Sequence, residues 1–109
     1  MIPQHIKLAE GGWQKLTLAE QLGNIGSEVS RAVKWKNRDE NLYQNAIKRA
    51  FELIDLTLCD PRFRSRLKEV ARLREFLADA LFGGKAYGSK LEDIDRYLFQ
   101  FALAARISR

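Results

Sequence analysis

The chain has one cysteine, one histidine and two prolines in 109 residues. Each scarcity excludes something. A single cysteine, Cys59, makes no internal disulfide, which points to a reducing, cytoplasmic setting. One cysteine with one histidine, His5, cannot supply a Cys/His zinc set within one chain. A histidine-centred nucleophile or acid–base pair is equally short of parts, because His5 sits in an N-terminal lead-in. Pro3 and Pro61 both fall outside helix interiors, and no run of alternating apolar and polar residues reads as a strand. There is no long apolar run: "MIPQHIKLAEGG" does not read as a signal peptide, and nothing approaches a membrane span. Low-complexity tracts and fixed-period repeats are missing too.

What is present is helical punctuation. "TLAE" at 17–20 is a capping box, with Thr17 as cap and Glu20 reaching back. From there Leu18, Leu22, Ile25, Val29, Ala32 and Val33 recur at helical spacing to about Lys36. Asp39 caps a second helix carrying Leu42, Ala46, Ile47, Ala50, Leu53, Ile54 and Leu58. Tyr43 and Phe51 widen its apolar arc to nearly half the circumference, which predicts that this helix is central. Asp60 followed by Pro61 starts a third, with Phe63, Leu67, Val70, Leu73, Leu77, Ala80 and Leu81, ending at Gly83-Gly84. "SKLE" at 89–92 reads as a second capping box, and Leu91, Ile94, Leu98, Phe101 and Ala105 follow. The expected fold is all-α: an antiparallel up-down four-helix bundle over 17–109, preceded by an irregular lead-in over 1–16.

Three features need more than a core to explain them. Ala19, Gly23, Gly26 and Ser30 share one flank of the first helix, where each glycine costs about 0.8–1 kcal/mol against alanine; close packing within the bundle is the expected reason, and a subunit contact is the alternative. Phe99, Leu103 and Ile107 form a second apolar stripe on the fourth helix. It reads as an oligomer or partner contact, unless the lead-in residues Ile2, Ile6, Leu8 and Trp13 fold over it. The third feature is "DPRFRSRLKEVARLREFLAD" at 60–79, where arginines crowd a helix N-terminus whose partial charge is positive.

Part of that charge can be neutralised inside the fold. Arg66 and Arg74 lie beside the apolar arc, and Glu52 and Asp55 on the second helix are their expected partners in a partly buried structural ion pair. Arg64, Lys68 and Arg72 are left as a solvent-facing row able to track phosphates. A second basic group, Arg31, Lys34, Lys36 and Arg38, closes the first helix around Trp35, an aromatic among cations of the kind that stacks a nucleobase. Alternatively, Trp35 covers the bundle end and the cations complement the helix C-terminus.

Catalytic constellations are missing from the pattern. The Glu-x-x-His pairs of di-iron bundles do not occur, "GGKAYGSK" lacks the P-loop spacing, and acidic pairs such as Asp39/Glu40 and Glu92/Asp95 sit at helix starts, where capping explains them. The chain is therefore read as non-enzymatic, with no catalytic residue, metal site, cofactor or small-molecule substrate.

Over residues 17–107 the four amphipathic helices, the length and the sequence pI of about 9.6 resemble small bacterial bundle proteins encoded in ribosomal RNA intervening sequences, and the accessory proteins of diversity-generating retroelements. "NIGSE" at 24–28 is similar to the Asn-Ile-Ala-Glu-Gly turn of the former, but here it lies within a helix. The resemblance implies a ring-like homo-oligomer whose basic surface meets nucleic acid or a reverse transcriptase. The HEPN nucleases look alike in outline, but their Arg-x(4–6)-His motif is missing. The expected function is self-association with contact to RNA or DNA through the basic patches; the alternative is a protein-interaction bundle without a nucleic-acid role. No membrane partner is expected.

Overall fold

The computed structural model describes residues 12–107, which fold into four α-helices with no strand among them. The helices are α1 (Leu18–Trp35), α2 (Glu40–Leu58), α3 (Leu67–Leu81) and α4 (Leu91–Ile107). No described helix is long and apolar enough to cross a membrane. His5, Ile2, Ile6 and Leu8 lie outside the described residues.

Local signals place most of the ends. Thr17 accepts a hydrogen bond from the Glu20 N–H at 3.1 Å, and the Glu20 carboxylate accepts one from the Thr17 N–H at 3.0 Å. Both halves of the capping box are therefore made. Asp39 accepts from the Leu42 N–H and Asp60 from the Arg62 N–H. The turn after α1 is closed by Asn37 at φ 64°, a left-handed conformation in which asparagine is better tolerated than most residues.

Two ends differ from the sequence reading. Pro61 does not open an α-helix: Pro61–Arg66 is a 3-10 segment kinked at Phe63, and α3 begins after it. At the start of α4, Lys90 rather than Ser89 immediately precedes the helix. The Ser89 N–H donates to the Asp79 carboxylate at 3.1 Å, and α4 begins at Leu91.

The central helix is α1, not α2. It buries two flanks at once. Leu22, Ile25, Val29 and Ala32 belong to the core, while Gly23 and Gly26 face α4. A Cβ built on Gly26 would come within 2.9 Å of the Leu98 Cβ, and one on Gly23 within 3.1 Å of the Ala102 Cα. Ser30 continues the line, donating to Asp95 at 2.7 Å. These pairs run in opposite senses, so α1 and α4 are antiparallel. The small-residue flank is thus internal packing, as its spacing suggested. On the other side α1 also runs antiparallel to α2, since Gln21, at the start of α1, bonds Asp60, just past the end of α2. The wide apolar arc of α2 is only partly covered; Leu42 is exposed and Tyr43 and Phe51 are half-buried.

A buried polar network fixes that end of the bundle. Trp13, in the 3-10 turn Trp13–Lys15, is 1% exposed and donates from its indole Nε1 to Thr57 at 3.2 Å. Gln21 donates to the Trp13 carbonyl and to Asp60. Asp60 is 1% exposed and receives the Arg62 guanidinium at 2.7 Å, which also donates to the Leu16 carbonyl. The last part of the lead-in is therefore core, because Trp13 has both an apolar slot and a partner for its N–H. Hydrogen bonding from Arg62 outweighs the cost of burial and holds the Asp60 carboxyl down at about 2.

The Gly26 contact has a measurable consequence. Alanine should gain about 1 kcal/mol in intrinsic helix propensity at that position, yet its methyl meets Leu98 below any normal carbon contact, and overpacking costs about 1–3 kcal/mol. Gly26→Ala is expected to lower stability in chemical denaturation, while Asn24→Ala, on the exposed side of the same helix, should leave it unchanged or slightly raised. A stabilised Gly26→Ala protein would show that α4 can retreat at no cost.

Candidate nucleic-acid interface

The arginines of 60–79 sort by what each touches. Arg62 serves the buried Asp60. Arg66 pairs with Glu69 at 2.7 Å within its own turn. Arg74 pairs with Asp55 at 2.9 Å and lies over the Phe51 ring at 5.1 Å. The Arg74–Asp55 pairing agrees with the sequence reading, but its depth does not. Arg74 and Asp55 are 45% and 54% exposed, so water screens the pair and it contributes about 0–1 kcal/mol rather than the 3–5 of a buried one. Glu52, one turn earlier on α2, takes part in neither of these two pairs; Arg66 finds its acid locally.

The remaining cations are exposed. Arg64, Lys68 and Arg72 have no acidic partner among the described residues. They do not form the straight row expected of one helix. Lys68 and Arg72, four apart on α3, share a face, but Arg64 belongs to the kinked segment before it. Lys68 also sits in the first turn of α3, where the positive helix end adds to its field.

The second basic group is more occupied than its composition suggests. Arg31 is paired with the buried carboxylate of Glu28 at 3.0 Å. Trp35 is half-buried, and the Lys34 ammonium lies 5.0 Å from its ring centroid. Lys36 and Arg38 are exposed. This group closes α1, whereas the 3-10 segment that carries Arg64 lies beside the start of α1, where Arg62 bonds the Leu16 carbonyl.

What the tertiary structure adds is a groove of about 690 Å³ between α3, the loop after it and α4. Leu73, Phe76 and Ile94 give it apolar walls, Tyr87 and Tyr97 stand in it as exposed rings, and Lys68, Arg72 and Lys90 rim it. Phe76 and Tyr87 meet edge to face at 5.2 Å, and Tyr97 and Phe101 do so at 5.4 Å. Its two carboxylates are engaged: Glu69 by Arg66, and Asp93 by Arg96. Sequence reasoning missed Tyr87, Lys90 and Tyr97. Tyr97 neighbours the apolar arc of α4 and so reads as core edge, while Tyr87 and Lys90 belong to a stretch whose shape no local pattern specifies.

That stretch is organised by Asp79. Its carboxylate, near the end of α3, accepts from the backbone N–H groups of Ala86 at 2.9 Å, Tyr87 at 3.2 Å and Ser89 at 3.1 Å. Burial pushes its pKa up, but these donors prevail and hold it below the ordinary value. Gly84 completes the turn at φ 73°, where an added Cβ would strike the Ser89 carbonyl at 2.8 Å. Among the described residues no group of three or more histidine, cysteine or acidic side chains could hold a metal ion. Comparison with protein-family models, curated proteins and solved structures returns no match, so function has to be read from the chain's own geometry.

Asp79→Ala removes the acceptor of three loop amides while leaving the α1–α2 core untouched. Amide hydrogen exchange should accelerate at Ala86, Tyr87 and Ser89, with the protection of α1 and α2 unchanged. Unchanged exchange at those three amides would mean that the loop is held by its glycines and by Ser89 rather than by Asp79.

Proposed function

We propose that the protein is a non-enzymatic bundle that self-associates and contacts nucleic acid, without sequence preference, through its unneutralised cations. The observation that carries this reading is the division among the basic residues. Arg31, Arg62, Arg66, Arg74 and Arg96 each have an acid within the fold, whereas Arg64, Lys68 and Arg72 stand in solvent without one. Side chains left unpaired on a chain of formal net charge +5 are available to phosphate oxygens, and replacing condensed counterions there gives affinity that depends on salt. Lys34 and Lys36 supply a second, smaller contact at the far end of α1.

Self-association rests on α4. Phe99, Leu103 and Ile107 are 58%, 41% and 83% exposed and recur every fourth residue on one side of the helix. Trp13, one of the residues that might have covered them, is committed to the core instead. A second copy of the same stripe is the occupant we assign, since two such helices bury matching apolar surface. Copies joined this way would present several basic faces to one strand, raising a weak single-site affinity through avidity. A protein-interaction bundle without nucleic acid is the alternative, and the first of the tests below separates the two.

Binding of a labelled single strand and of a duplex, each titrated at two salt concentrations, should weaken steeply as salt rises. Lys68→Ala should reduce the log–log slope by roughly one unit. No binding to either at low salt, with the protein folded, would leave the protein-interaction reading. Separately, Phe99→Glu with Leu103→Glu should lower the mass measured by light scattering while the helical circular dichroism persists; an unchanged mass would mean that the stripe does not join copies.

A further inference from the structure

We infer that the groove between α3 and α4 is a seat for the bases of single-stranded nucleic acid, with Tyr87 and Tyr97 as stacking surfaces and Lys68, Arg72 and Lys90 as phosphate contacts. This rests on the nucleic-acid reading above and gives it a site and a strand preference.

Three observations converge. The groove, at about 690 Å³, is within the 300–1,000 Å³ range of cavities that hold organic ligands. Its exposed aromatic rings are two tyrosines, 58% and 45% exposed at positions 87 and 97, each in edge-to-face contact with a phenylalanine, Phe76 and Phe101 respectively. Rings held in this way offer apolar surface at little further entropic cost. Finally, its charge is mainly positive, with Glu75 at its edge accepting from the Tyr87 hydroxyl at 3.5 Å. Cations stand on both banks, Lys68 and Arg72 on α3 and Lys90 just before α4, while both carboxylates within the groove are already taken by arginines. An occupant must therefore combine flat apolar groups with regularly spaced negative charge.

A nucleic-acid strand has that combination, one phosphate for each base. Lys68 and Arg72 are separated by about 6 Å of helix rise, and the wall from Lys68 to Phe76 by about 12 Å, room for about two bases. An acidic amphipathic helix is the competing occupant. Grooves that take such helices present mainly aliphatic or methionine surface, whereas here the exposed apolar groups are tyrosines. Bases inside a duplex have their faces covered by their neighbours, so only an unpaired strand can use the groove. This also moves the stacking role away from Trp35, whose ring already carries Lys34.

The test compares a labelled oligothymidylate with a duplex of equal length, on the full chain. The single strand should bind more tightly. Tyr97→Ala should weaken its binding roughly tenfold, a value within the range for losing one base–aromatic stack, without altering the salt slope. Lys90→Ala should flatten that slope by roughly one unit. Tyr87→Ala, in the loop and away from the core, gives the same readout if Tyr97→Ala compromises folding. Equal affinity for both forms with neutral tyrosine variants would overturn the groove assignment and leave the basic-surface reading intact. No binding of either form would overturn both. Binding of an acidic, aromatic-bearing peptide that is lost in Tyr97→Ala and Lys90→Ala would give the groove to a protein partner instead.

Discussion

The approach of α4 onto the glycine flank of α1 sets the geometry that everything else follows. With Gly26 against Leu98 and Gly23 against Ala102, the two helices come closer than side chains with a Cβ would permit. The cost in helix propensity, about 1 kcal/mol per glycine, is offset by contact between surfaces that would otherwise stand apart. Once α4 is pinned there, its remaining faces have fixed directions. Lys90, Asp93 and Tyr97 turn toward α3. Phe99, Leu103 and Ile107 turn toward solvent. The stripe and the groove are thus two consequences of one helix–helix contact.

The second constraint is the satisfaction of buried polar groups. Trp13, Gln21, Thr57, Asp60 and Arg62 come from the lead-in, α1, α2 and the 3-10 segment, yet they form one hydrogen-bonded chain. Each member would be costly alone in the core, so the network ties the entry into α3 to the start of α1. Beside α4, α3 has a kinked 3-10 entry at one end and a loop gathered by Asp79 at the other. A groove remains between them where a regular bundle would interdigitate its side chains.

Electrostatics gives this groove its character. The fold neutralises arginine selectively. Bidentate or aromatic-stacked positions suit guanidinium, and the arginines at 62, 66 and 74 occupy them. The lysines at 68 and 90, with Arg72, stay unpaired beside exposed tyrosines. The arginine-rich stretch at 60–79 therefore contains two populations, Arg62, Arg66 and Arg74 paired within the fold and Arg64 and Arg72 facing outward, a division that helical position alone drew for all but Arg62.

The sequence by itself determined the helices and most of their boundaries, because caps and breakers act within a few residues. Thr17 with Glu20, Asp39, and the Gly83-Gly84 stop each do their work through local backbone hydrogen bonds or local conformation. It also marked the glycine flank and the α4 stripe, since helical spacing alone places residues on one side. Which helix is central, how deep the Arg74–Asp55 pair lies, and that Trp13 is core were decided only by the tertiary structure. Each depends on how far apart two elements come to rest, and that distance is settled by packing between residues remote in the chain. The groove belongs to the same class. Lys68, Tyr87 and Tyr97 become neighbours only after α4 has docked on α1 and Asp79 has folded the loop, and no single stretch of sequence carries that information.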